Sequence, residues 1–135
     1  MARAPKARKP RTMALAAAPA VNLAPPSQAN LLILLLNQKI GALLQARLKV
    51  VAMMTAGTLP LARGTSILQN IDAEVNRCLL TIQTLRAGQH IIQFPTPAQI
   101  SALRAAVEAL GQITAQGASV QQLTAAIAAL VATFP

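Results

Sequence analysis

LLILLLNQKIGALLQARLKVV, residues 31–51, decides the fold. Its apolar residues are nearly continuous at the start and then recur at Ile40, Leu43, Leu44, Leu48 and Val51, continuing to Met54. Those spacings of one, three and four fit a helix and no strand. The segment extends from about Ser27 to Ala56, where Gly57 stops it. A helix this apolar is expected at the centre of a protein, touched on several sides. Gly41, inside it, is expected to mark a close helix crossing, because glycine otherwise costs a helix about 1 kcal/mol. The unbroken run Leu31–Leu36 ends at Asn37, Gln38 and Lys39. That is well short of the roughly 20 residues a membrane span needs, so no span is expected.

The rest of the chain repeats the pattern. A second helix is expected over about 66–87, ended by Gly88, with Ile71, Val75, Cys78, Ile82 and Leu85 as its stripe. A third, over about 97–116, opens on Thr96-Pro97-Ala98-Gln99, a capping box with proline at the first helical position. Ile100, Leu103, Val107, Leu110 and Ile113 are its stripe, and Gly117 ends it. A fourth, over about 119–134, opens on Ser119-Val120-Gln121-Gln122 and carries Val120, Leu123, Ile127, Leu130 and Phe134. The expected fold is all-α: a four-helix bundle over residues 27–135. Hydrophobic residues make up 54% of the chain and aromatics 1%, so the core must be aliphatic. In the linker GQHIIQFPT, Ile91, Ile92 and Phe94 are expected to lie over the bundle end.

Residues 1–26 differ in kind. They form a Pro/Ala-rich arm that opens MARAPKARKPR, with Arg3, Lys6, Arg8, Lys9 and Arg11 and no acid. Five prolines space it out, and at about 3.1 Å per residue it reaches on the order of 80 Å. The following MALAAAPAVNLA is too weakly apolar for a good signal-peptide core, so no cleaved leader is expected. One cysteine excludes an internal disulfide.

Catalysis fails on inventory, and no enzyme activity, metal or cofactor is expected. Asp72, Glu74 and Glu108 are the only carboxylates. Asp72 and Glu74 are two apart and point away from each other on a helix, so they make no acid/base pair. Their helical spacings suit ion pairs instead, Glu74 with Arg77 and Glu108 with Arg104. His90 and Cys78 stand alone, and Cys78 lies on an apolar stripe, as a buried structural cysteine does. Two such residues are too few for a structural zinc site.

Charge points to a polyanion. Twelve Lys and Arg face three acids, giving +9. Such an imbalance attracts nucleic acid or an anionic surface. Without aromatics in basic surroundings, single-strand stacking platforms are not expected. Phosphate contacts are expected from Arg3, Lys6, Arg8, Lys9 and Arg11 on the arm, and from Lys39, Arg47, Lys49, Arg63 and Arg86 on the body. The last two helices carry Ala, Gln, Thr and Ser where a free surface normally carries Lys and Glu. Such faces suit contact with other protein.

A basic, proline-containing arm before a compact aliphatic four-helix body resembles the major coat proteins of the filamentous and rod-shaped viruses of hyperthermophilic archaea. MARAPKARKPR is similar in kind to their arms, and residues 31–51 to their apolar bodies. The resemblance spans the whole chain as a layout. It implies a virion coat subunit that dimerises with itself or with a paralogous subunit. Dimers would stack as a helical polymer around linear double-stranded DNA, in some members inside a lipid envelope. This chain departs from the rod-shaped members in having no Tyr or Trp. Two other readings fit the same composition. One is a cytoplasmic helical interaction protein, either a phasin-like surface coat or a chaperone-like adaptor. The other is a small chromatin-like DNA-binding protein.

Overall fold

The computed structural model describes residues 26–88, 94–117 and 119–134. Every regular element among them is an α-helix: α1 (Pro26–Thr55), α2 (Leu61–Arg86), α3 (Pro97–Gln116) and α4 (Val120–Val131). Helix α1 contacts the other three, with α2 and α3 as its main neighbours; α4 packs chiefly on α3. That is the central position its composition demands.

The helix ends follow local chemistry. Gly57, Gly88 and Gly117 all adopt positive φ, a conformation that glycine enters without a Cβ clash. At the start of α3, Thr96 Oγ1 accepts from the Gln99 N–H at 3.2 Å, and Gln99 Oε1 accepts from the Thr96 N–H at 2.8 Å. Ser119 and Gln122 make the same reciprocal pair at the start of α4. Helix α2 begins at Leu61, five residues before the expected Ser66. Proline at position 60 has the φ of a helix entrance, and its carbonyl accepts from the Gly64 N–H at 2.9 Å. Gly64 lies within α2 and is buried: a Cβ there would overlap the side chain of Met54 on α1.

The expectation for Gly41 is corrected. A Cβ at Gly41 would meet nothing within 4 Å, so it is not a helix crossing. The close approach of α1 and α2 is at Gly64 instead.

The core falls into two clusters. The larger gathers Leu35, Leu43, Ala46 and Val50 of α1 with Ile67, Ile71, Leu103, Leu110, Leu123, Ile127 and Leu130. The smaller joins Leu32, Leu36 and Ile40 to Cys78, Ile82 and Leu85, with Phe94 and Phe134 packed against it. Phe94 thus covers the bundle end as its linker reading requires. Ile91 and Ile92 lie outside the described residues. One segment, Gln28–Thr55, is long and apolar enough to cross a membrane by length and composition, with mean hydropathy 1.3. This differs from the expectation drawn from Leu31–Leu36, because the apolar residues after Lys39 restore the average. A central bundle helix has the same composition for a different reason: it is touched by three neighbours.

Candidate nucleic-acid interface

Helices α1 and α2 position the expected body cations, and their packing separates those cations into different roles. Lys39 is four residues from both Leu35 and Leu43, so it projects into the core with them. Its side chain has no exposure to solvent. Its Nζ lies 2.7 Å from Glu74 Oε2 and donates to the Thr133 carbonyl at 3.2 Å. That carbonyl lies just past the end of α4, where unpaired carbonyls carry partial negative charge. The phosphate-binding expectation for Lys39 is therefore corrected: a buried ammonium already held by a carboxylate and a carbonyl does not reach a phosphate.

Glu74 is saturated as well. Arg77 Nη2 donates to both carboxylate oxygens at 2.9 Å, as i,i+3 spacing allows, and Cys78 Sγ lies 3.9 Å from Oε2. Burial pushes the Cys78 thiol up, above its ordinary value, which keeps it a thiol. Arg47 Nε donates to Asp72 Oδ1 at 2.9 Å across the exposed edge between α1 and α2. The hydrogen bond to Asp72 and its charge raise the Arg47 guanidinium pKa further. Arg47 thus has an acidic partner already, although it remains half-exposed.

Lys49, Arg63 and Arg86 form no ion pair with a described residue. Lys49 Nζ lies 3.9 Å from the position of a Cβ on Gly117, beside the C-terminus of α3 where a cation is favoured. Arg86 occupies the last turn of α2 for the same electrostatic reason. Arg63 sits in the first turn of α2. It is 23 residues from Arg86, about 35 Å along the helix. The fold does not bring the expected body set into one patch. Arg3, Lys6, Arg8, Lys9 and Arg11 lie outside the described residues.

One place collects two cations. A groove of about 880 Å³ runs between α1 and α3, lined by Gln38, Gly41, Gln45, Leu48 and Lys49 on one side and by Arg104, Glu108 and Gly111 on the other. Arg104 was expected to pair with Glu108; the two are not within ion-pair distance. Its four-residue spacing from Glu108 is the sequence feature that reads as a pair. Among the described residues no group of His, Cys, Asp and Glu could hold a metal ion.

The least ordinary feature of the surface is apolar. Leu31, Leu34, Leu44, Leu48 and Val51 of α1 and Leu61, Leu79 and Leu80 of α2 all stand exposed. Scattered exposed leucines are normal, but those on α1 recur along one helix. Compared with family models, curated proteins and solved structures, the chain matches none.

Proposed function

We propose that this chain is a structural coat protein that self-assembles helically around linear double-stranded DNA and holds the phosphate backbone without reading sequence. The observation that carries the reading is the row of exposed leucines on α1 of a chain with net charge +9. The leucines need cover, which copies of the chain would supply. Copies so charged resist stacking into a long polymer until a polyanion neutralises them. DNA supplies that charge along a line, which favours a filament over a closed cluster.

In this reading Arg3, Lys6, Arg8, Lys9 and Arg11 grip phosphates, supplemented by Lys49, Arg63, Arg86 and Arg104 on the body. Lys39 belongs to the fold. The second subunit is a copy or a paralogue, the assembly is a virion, and a lipid envelope is a further partner in some such coats. The uncharged Ala/Gln faces of α3 and α4 suit subunit contacts on the same grounds.

A second reading has one observation in its favour. The apolar segment Gln28–Thr55 and its exposed leucines also suit a phasin-like coat on a lipid or polymer surface. Titrating the full chain onto two unrelated linear duplexes of equal length separates the two. The coat reading expects equal affinities, steep salt dependence and protection of the whole duplex from nuclease. A short sequence-specific footprint contradicts it, as does binding to lipid vesicles that survives loss of the arm while DNA is ignored.

A further inference from the structure

The exposed side of α1 is patterned. Leu34, Gly41 and Leu48 are seven residues apart, and so are Asn37, Leu44 and Val51. All six are exposed, and the four apolar side chains are 53%, 44%, 64% and 40% accessible at Leu34, Leu44, Leu48 and Val51. Two interleaved seven-residue rows, three and four apart, are the spacing with which one helix packs along another. The inward side of the same helix is fully used by the bundle, so this outward seam is a second interface on α1.

We infer that this seam is a two-fold dimer interface in which α1 packs antiparallel on α1 of a second copy. The inference rests on the proposal that the body meets copies of itself, and is independent of DNA. A two-fold axis crossing α1 midway between Ala42 and Leu43 relates each seam residue to another. It sets Leu34 opposite Val51, Asn37 opposite Leu48, and Gly41 opposite Leu44 of the second copy. Asn30 then faces Thr55 at each end, so polar residues close the seam on both sides. The central pair is a knob and a notch. Gly41 leaves space with nothing within 4 Å of its Cβ position, and Leu44, exposed three residues away, is the side chain that fills it. An isologous contact requires such self-complementarity, and here one helix carries both halves.

The uncharged row suits a second copy as the occupant. The six seam residues are uncharged: Lys39 turns inward to Glu74, Arg47 pairs with Asp72 on one edge, and Lys49 stands in the α1–α3 groove on the other. Two highly basic chains therefore meet along an uncharged row, with their cations at its edges. The seam is 26 residues long, about 38 Å, and at one helix width offers roughly 400 Å². A stable interface takes about 800 Å² from each partner. Leu61 and Leu79 share the α2 face that carries Asp72, which borders the seam; the α1–α3 groove borders its other side. A contact of that size must take in these flanks as well as the row itself. A bilayer is a poorer occupant, because Asn30 and Asn37 interrupt the strip and Gln38 and Gln45 border it.

Analytical ultracentrifugation of the full chain at physiological salt tests this, with three variants. Wild type is expected to dimerise at tens of micromolar. Gly41→Leu fills the notch in open space, so its helical circular dichroism is retained while its dimer dissociation constant rises at least a hundredfold. Asn37→Cys with Leu48→Cys forms an intermolecular disulfide under mild oxidation, Cys78 being buried; Leu48→Cys alone does not, because its symmetry mate lies about 16 Å away. Unchanged dimerisation of Gly41→Leu overturns the inference, and so does efficient cross-linking through Leu48→Cys alone. A wild-type monomer that partitions into phosphatidylcholine vesicles also overturns it. The two proposals fail separately. A wild-type dimer that never coats DNA keeps the seam and removes the coat reading. Normal DNA coating by Gly41→Leu keeps the coat reading and removes the seam.

Discussion

Lys39 Nζ lies 2.7 Å from Glu74 Oε2, and both side chains are buried. The pair joins α1 to α2, and through the Thr133 carbonyl it reaches the end of α4. On α2, Glu74 stands between Ile71 of the larger core cluster and Cys78 of the smaller. Two charges inside an aliphatic core are tolerated only because each has several partners.

The two halves of the pair are not equivalent. Glu74→Gln leaves a buried ammonium without its anion and is expected to cost about 3 kcal/mol. Lys39→Met leaves Glu74 with Arg77, and is expected to cost distinctly less. Urea denaturation of the two variants checks the order. Lys39→Met is also expected to leave the salt dependence of DNA binding unchanged, since its ammonium faces Glu74.

Two glycines of α1 and α2 respond to alanine with opposite signs. At Gly64 a Cβ overlaps the Met54 side chain. Met54 is flexible and gives way in part, so Gly64→Ala is expected to destabilise by about 1–2 kcal/mol. At Gly41 the space is open, and Gly41→Ala is expected to stabilise the dilute protein by up to about 1 kcal/mol through helix propensity. Thermal melts at low concentration read both.

Cys78 reports on unfolding. Its thiol is shut from solvent and its pKa is raised by burial, so a thiol reagent is expected to label it only at the rate of opening. The raised pKa also sets a pH dependence. The folded protein keeps a proton that the unfolded chain loses near pH 8.5, so this contribution is full below that pH. It is lost as pH rises toward the folded value. Stability measured from pH 7 to 10 is expected to fall in the alkaline half, and Cys78→Ala to flatten that fall.

Deleting residues 1–12 removes Arg3, Lys6, Arg8, Lys9 and Arg11. The helical circular dichroism is expected to persist, because the core is built from α1 to α4. DNA affinity is expected to fall, and the log–log salt slope to flatten by about 4 to 5. An unchanged slope would assign the phosphate contacts to Lys49, Arg63, Arg86 and Arg104 instead.

What was legible in the sequence was what neighbours decide. Thr96 and Gln99 find each other because they are three apart, and Gly57 and Gly117 end helices by their own backbone freedom. What depends on packing was harder. Pro60 opens α2 five residues before the expected start, and Gly64 is needed because Met54 lies against it. Lys39 looked like an interruption of an apolar run. The signal that places it was present: Lys39 sits four from Leu35 and Leu43, and Glu74 sits three after Ile71 and four before Cys78. Opposite charges on two core stripes predict a buried pair. Arg104 reads as paired because an acid stands four residues away, a spacing that permits a pair without forming it here.

Electron microscopy of the full chain mixed with linear duplex DNA at low salt tests the central claim most directly. The account predicts uniform filaments whose length scales with the DNA, regardless of its sequence. Isolated particles beside bare duplexes contradict it.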